Sequence, residues 1–361
     1  MSHPNPIIAE DIAAIADRLG SRADKLAGTR ILITGGAGFL LSYVVDLIAH
    51  LNDARFAQPA SLTVLDNMTT GMPARLAHLA GRPDITLIQH DVREPYAVPG
   101  RFDFILHGAS IASPMIYRQF PLETIDANVT GTRHMLDRAR SDGARFLLMS
   151  TSEIYGDPDP AAIPTPETYR GSVSCTGPRA CYDESKRLAE TLLAIYAEKY
   201  GVAGNALRPF NFYGPGQRLD DQRIVPDLMS SVLKGEPITL FSDGRATRSF
   251  CYITDAITGL MLVWLEGRPG EPYNIGNEAE VSIGDVARLA ADLATPALSV
   301  TFKTSGDAAY LTDNPQRRCP DLTKARAHLD YHPLVSLERG LARTLRSYRF
   351  ERDAFEVSGD R

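Results

Sequence analysis

The strongest constraint on the fold is a rhythm. From Arg30 onward, short apolar runs, RILIT (30–34), SLTVLD (61–66), ITLIQHD (85–91), FDFILHGA (102–109) and RFLLMS (145–150), alternate with amphipathic stretches such as 42–51 and 121–140. Strands buried on both faces read as near-continuous Val, Ile and Leu, and alternation with helices implies right-handed crossovers and a parallel sheet. The chain is therefore expected to be α/β, with a doubly wound parallel sheet. Past Tyr200 the pattern loosens: GNALRPFNFYG (204–214) reads as a late strand, and Pro, Gly and Arg then become frequent in 213–227, 242–250 and 274–282. Loop-rich segments between short helices suit a smaller C-terminal lobe that closes over a ligand.

The expected organisation is an N-terminal helical extension (1–28), a nucleotide-binding domain (29–205), a mainly substrate-binding lobe whose strands return to the core (206–350) and a tail (351–361). Ile12, Ile15, Ala16 and Leu19 recur at helical spacing in the extension, which is expected to pack on the body or on a partner subunit. That segment carries acidic residues and no long apolar run, so neither a signal peptide nor a membrane span is expected, and the predicted location is the cytoplasm. Lys and Arg total 38 against 44 Asp and Glu, with no basic run, which argues against nucleic acid and membrane surfaces as partners. Cys175, Cys181, Cys251 and Cys319 are scattered without metal-ligand spacing, so reduced thiols and no metal are expected.

The motif ILITGGAGFLLSY (31–43) sets Gly35 and Gly38 just after the first strand. One glycine makes a tight turn and another lets backbone approach a pyrophosphate at the following helix N-terminus, the signature of a Rossmann-type dinucleotide fold. Leu41 stands where a third glycine usually eases helix–strand packing, so the helix is expected slightly farther out. The second strand ends at Asp66, whose carboxylate suits the adenosine ribose hydroxyls and would repel a 2′-phosphate, favouring NAD over NADP. Asp91 and Val92 fall at the level of an adenine edge. The expected cofactor-contacting set is Gly35, Gly38, Phe39, Leu40, Asp66, Asn67, Asp91, Val92 and Ala109, joined by Tyr182 and Lys186.

In CYDESKRLAETLLAIYAEKY (181–200), Tyr182 and Lys186 stand four apart and project from one helix face. A tyrosine acting as a base near neutrality must lose about three units of its pKa near 10, roughly 4 kcal/mol, and an adjacent ammonium and the positive nicotinamide act in that direction. Thr151, Ser152 and Glu153 follow directly on the strand RFLLMS and complete the expected catalytic set.

Taken together, TGGAGF (34–39), Asp66, STSEIYG (150–156), Tyr182 with Lys186, and RPFNFYGPG (208–216) resemble the extended short-chain dehydrogenase/reductases that act on nucleotide sugars, the NAD-dependent epimerase/dehydratase family. TSEIYGDP, GPRACYDESKRLAET and PQRRCPDLTKA look like the corresponding stretches of the UDP-glucuronate decarboxylases, which make UDP-xylose. The resemblance implies oxidation at C4 by NAD, with Tyr182 taking the hydroxyl proton and Thr151 holding the oxygen, then loss of CO₂ and hydride return. Ser152 is a poor acid, which fits loss of CO₂ better than loss of water. Glu153 would position the sugar or manage protons. A 4,6-dehydratase or 4-epimerase is the alternative, and a non-catalytic NAD-binding regulator a more distant one. The resemblance also implies substrate contacts from Tyr117, Asn211, Arg223, Arg248 and Arg318, and a homodimer formed through a four-helix bundle by the helices at 121–140 and 183–200.

Overall fold

The computed structural model describes residues 3–96, 98–303 and 315–359. In chain order the elements are α1 (Pro6–Leu19), β1 (Arg30–Thr34), α2 (Phe39–Ala54), β2 (Ser61–Asp66), β3 (Ile85–Gln89), β4 (Phe104–His107), α3 (Pro114–Gln119), α4 (Pro121–Asp126), α5 (Thr132–Asp142) and β5 (Arg145–Met149). There follow α6 (Ala180–Tyr200), β6 (Gly204–Pro209), β7 (Phe212–Tyr213), α7 (Ile224–Lys234), β8 (Ile238–Leu240), β9 (Thr247–Ser249), β10 (Cys251–Tyr252) and α8 (Ile253–Glu266). The chain ends with β11 (Pro272–Ile275), β12 (Glu280–Ser282), α9 (Ile283–Ala291), β13 (Val300–Phe302), β14 (Arg317–Arg318), α10 (Thr323–Leu329) and α11 (Leu337–Gly359). Helix α11 thus runs across the 350/351 position where a tail is expected to start.

Seven parallel strands form one sheet in the order β11-β6-β5-β4-β1-β2-β3. The chain moves outward from β1 through β2 to β3, then returns to the other side of β1 at β4 and continues outward through β5. That reversal opens a crevice beyond the C-terminal ends of β1 and β4, where ligands bind in such sheets. Side-chain alternation sorts the two faces. Ile31, Ile33, Val64, Leu106 and Leu147 pack with α2 and α8, whereas Leu32, Leu65, Ile105, Phe146 and Leu148 pack with α5 and α6. The edge strand β3 departs from the continuous burial expected of it. Leu87 is exposed there, because an edge strand has a sheet neighbour on one side only.

Helix α8 is buried all round, from Ile253 to Leu265. Its outer side is covered by α1, whose Ile8, Ile12, Ile15 and Leu19 belong to the same core cluster. Asn5 caps α1 by accepting from Ile7 N (3.1 Å), and its amide nitrogen donates to Ser347 Oγ (2.8 Å) and Glu351 Oε1 (2.8 Å) of α11. Asp11 binds Arg343 Nη2 at 2.6 Å and accepts from Tyr252 (2.6 Å). The first and last helices are thereby laced together over the buried α8. Smaller sheets, β12-β9-β14 among them, form from strands in the C-terminal part of the chain.

Candidate active site

The turn after β1 forms because Gly35 adopts φ 78°, where a Cβ would fall 2.8 Å from Ala109 N. Gly38 is the N-cap of α2, so the unpaired amides of that helix's first turn open into the crevice. Close approach to the sheet occurs at Gly36, where a Cβ would stand 2.4 Å from Val64 Cγ1. Leu41 is buried, and the room for it comes from β4's exit: a Cβ on Gly108 would meet Leu41 Cδ1 at 2.4 Å. The missing side chain is relocated from helix to strand end. This turn and helix end fit a dinucleotide pyrophosphate.

Asp66 is buried, its Oδ2 accepting from Ala37 N (3.0 Å) and its Oδ1 from Met68 N (2.9 Å). Burial pushes its carboxyl up, and the two amides pull it partly back. The carboxylate braces the glycine turn against the loop after β2, with lone pairs left for a ribose. Asn67 donates to Asp91 (3.2 Å), which Arg93 grips with Nε (3.0 Å) and Nη2 (2.9 Å), holding that carboxyl down at about 2. Val92 is buried under Gly131, while Phe39 and Leu40 are half-buried at the start of α2. Ala109 donates its N–H to Thr34 Oγ1 (3.3 Å).

Strand β5 ends at Met149, and Thr151 caps the short 3₁₀ turn Ser152–Tyr155 by accepting from Glu153 N (3.1 Å). The Thr151 side chain lies close enough to Tyr182 to pull its phenol downward. Helix α6 buries both Tyr182 and Lys186. Lys186 Nζ donates to the Met149 carbonyl (2.8 Å) and lies 5.8 Å from the centre of the Tyr182 ring. Burial pushes the Lys186 ammonium down to about 7, against the opposing pull of Glu190. Burial drives the Tyr182 phenol up in the protein alone, and Thr151 and Arg223 offset only part of that, whereas the downward pull expected from sequence comes from Lys186 together with the positive nicotinamide. The neighbouring lysine is itself desolvated, so the pair shares a low-dielectric site that disfavours charge on both. Tyr117 stacks on Tyr182 with ring centroids 5.2 Å apart and planes 5° apart, and its hydroxyl accepts from Arg179 Nε (3.1 Å).

Glu153 is the charge centre. Arg318 of β14 grips it bidentately, one bond measuring 2.8 Å, and Arg179 Nη1 lies 3.5 Å from its Oε2. Burial would raise the Glu153 carboxyl, but Arg318, Arg179 and Arg248 together outweigh it and hold the group at about 2. Arg248 is buried in β9 beside β14 and donates to the Thr247 carbonyl (2.7 Å); burial and the two other guanidinium groups push it down to about 9. Ser152 is buried next to Glu153. Asn211, at φ 45°, donates to the Ser249 carbonyl (2.9 Å), and Arg223 bridges the Ala112 carbonyl (2.9 Å) and Asp221 (3.2 Å).

The fold therefore brings Thr151, Glu153, Tyr182, Lys186, Tyr117 and Arg318 into one contact network, with Arg248 alongside. Two contributors carry no sequence signal of their own. Arg179 lies one helical turn before Tyr182 in a stretch that reads as a loop. Glu190, one turn after Lys186, accepts from Ser150 Oγ and from Arg208 Nε (3.0 Å) and Nη2 (2.6 Å), tying α6 to β5 and β6.

Residues 31–276 match the model of the NAD-dependent epimerase/dehydratase family. The chain belongs to that family. It is 40% identical over 320 residues to UDP-glucuronic acid decarboxylase 1 of Arabidopsis thaliana, covering 89% of this chain and 70% of that one. It is 41% identical over 322 residues to UDP-glucuronic acid decarboxylase 1 of Xenopus tropicalis, covering 89% and 72%. Among solved structures, the dTDP-glucose 4,6-dehydratase of Streptomyces venezuelae, crystallised with NAD, matches with a TM-score of 0.76 at 29% identity, covering 90% of this chain and 98% of that one. Family membership makes this chain's cofactor NAD, in keeping with the glycine turn and Asp66.

Proposed function

We propose that this member of the family decarboxylates UDP-glucuronate to UDP-xylose through a transient 4-keto sugar. The observation that carries the reading is the state of the Ser152–Glu153 pair. Glu153 is held ionised at about 2 by Arg318 and its neighbours, so neither residue is a proton donor for a departing hydroxide near neutrality. Loss of CO₂ needs no such donor: the C5–C6 bond breaks and its electrons pass to the C4 carbonyl oxygen as an enolate. The likeness to UDP-glucuronic acid decarboxylases supports the same choice.

Bound NAD would supply the hydride acceptor for C4, and the hydride would be returned to C4 once the enolate has taken up a proton at C5. Tyr182, its phenolate favoured once the positive nicotinamide lies beside it, takes the C4 hydroxyl proton, and Thr151, its neighbour, holds the same oxygen. Lys186, fixed to the Met149 carbonyl at the end of β5, binds the nicotinamide ribose and supplies positive charge beside the phenol. Tyr117 packs flat on Tyr182 and limits its ring motion. Glu153 contacts the sugar near C5, its orientation fixed by Arg318. Arg248, Arg223 and Asn211 serve the nucleotide diphosphate.

Incubation with UDP-glucuronate tests the proposal: CO₂ release and a UDP-pentose by mass are expected, and recovery of intact substrate from folded, NAD-loaded protein refutes it. Tyr182→Phe is expected to abolish turnover while NAD stays bound.

The same reading includes a homodimer. Leu122 (70% exposed), Ile125, Leu188 and Ile195 form an apolar stripe on α4 and α6, beside Met115 and Phe120. Such a patch suits a second copy of the same helix pair. We place the protein in the cytoplasm on the strength of its four unpaired thiols.

A further inference from the structure

Apart from the residues of the candidate site, three side chains from separate segments of the chain converge. Asp46, buried in the middle of α2, binds His78 Nε2 through Oδ1 (2.7 Å), and His3 Nε2 approaches its Oδ2 at 3.9 Å. The two imidazoles meet edge to face with centroids 4.5 Å apart. Among the described residues this is the one group of three His, Cys, Asp or Glu side chains whose ligand atoms all lie within 4.8 Å of one another. They line a cavity of about 280 Å³ shared with His50, one turn along α2 from Asp46.

We propose that His3, Asp46 and His78 form a binding site for a divalent transition metal of the zinc class, which staples the N-terminal arm to the nucleotide-binding half. Two imidazole nitrogens and one carboxylate oxygen are the donor set such ions prefer, with water or His50 available for a fourth position. A metal sits about 2.0–2.1 Å from each donor, so the His78–Asp46 hydrogen bond opens by roughly half an ångström on binding. His3 pays a second adjustment. Its Nδ1 accepts from Asn5 N (3.0 Å), so in the metal-free protein Nε2 carries the proton. Ligation through Nε2 moves that proton to Nδ1 and gives up one backbone hydrogen bond, a loss far smaller than the gain from a coordinate bond. The ring sits on a short arm before α1, which makes reorientation cheap, whereas Asp46 and His78 are fixed by the body.

The test uses the full chain without an affinity tag, stripped with chelator and titrated with Zn²⁺ by calorimetry, with Co²⁺ as a visible-absorbing probe. The expected result is one tight site per chain, a tetrahedral Co²⁺ spectrum, a rise in Tm with Zn²⁺, and at least tenfold weaker binding in both His3→Ala and His78→Ala. His3→Ala alters only the arm, so it reports on the site even if His78→Ala fails to fold. Absence of a tight site overturns the proposal, as does undiminished Zn²⁺ affinity in His3→Ala, which would assign the metal to the thiols or elsewhere.

Discussion

Replacing Arg318 with Gln isolates the ion pair at the centre of the site. Glu153 has its carboxyl drawn from an ordinary 4.5 to about 2 despite burial that acts the other way. That net drop corresponds to about 3 kcal/mol of preference for the ionised form. It is shared among Arg318, Arg179 and Arg248, with Arg318 the largest attractive contributor and bound bidentately. Removing one partner of a buried pair leaves the other uncompensated, so Arg318→Gln is expected to lower stability at pH 7 by about 3 kcal/mol. Glu153→Gln relieves part of that cost, and the double-mutant cycle is expected to give a coupling of about 2 kcal/mol by urea unfolding. The pH dependence follows from the sign of the shift. A carboxyl whose folded pKa lies below its unfolded one stabilises fully above about 4.5 and loses that stabilisation as pH falls toward 2. The penalty of Arg318→Gln must therefore shrink between pH 6 and pH 3. A penalty independent of pH, or a coupling below about 0.5 kcal/mol, would refute the assignment of Glu153 as a clamped carboxylate.

Lys186→Met removes a desolvated ammonium whose pKa falls from 10.5 to about 7. This corresponds to about 5 kcal/mol of unfavourable burial, of which we expect about 2 kcal/mol or more to appear as increased stability. The gain should be largest below pH 7, where both folded and unfolded chains carry the proton, and should decline toward pH 10.5, as thermal unfolding at pH 6.5 and 9.5 can show. Gly108→Ala sets a Cβ 2.4 Å from Leu41 Cδ1, with an expected cost of about 1–3 kcal/mol by denaturant unfolding, and Leu41→Ala in the same chain should recover most of it. Leu122→Asp combined with Leu188→Asp should yield monomers by light scattering without loss of fold, since both side chains are exposed on one protomer.

The sheet was largely legible because parallel strands leave long apolar runs: RILIT and SLTVLD coincide with β1 and β2 residue for residue. The glycine turn was legible for a different reason, since φ 78° at Gly35 leaves few residue choices. Leu41 was readable as an anomaly, but its compensation at Gly108 lies 67 residues away in sequence and depends on β4 lying beside β1. The same limit applies to charge. Glu153, Arg179 and Arg318 meet only because α6 and β14 converge on the turn after β5, and no spacing rule announces such a meeting. The upward push of burial on the Tyr182 phenol was not legible, because a neighbour's charge is visible in sequence while desolvation is not. The strands of two or three residues in the C-terminal lobe are too short to carry periodicity at all.

The lacing of Asn5 and Asp11 to Ser347, Glu351 and Arg343 brings α1 and α11 to one place. A ribosome releases the first helix more than 300 residues before its partner exists, so α1 and the apolar α8 beneath it must wait for the last helix before that layer is sealed. Trimming either terminus should then open the same seam. Linking α11 to α1 and cutting an exposed loop elsewhere should preserve the fold, because the seam already holds these two helices together.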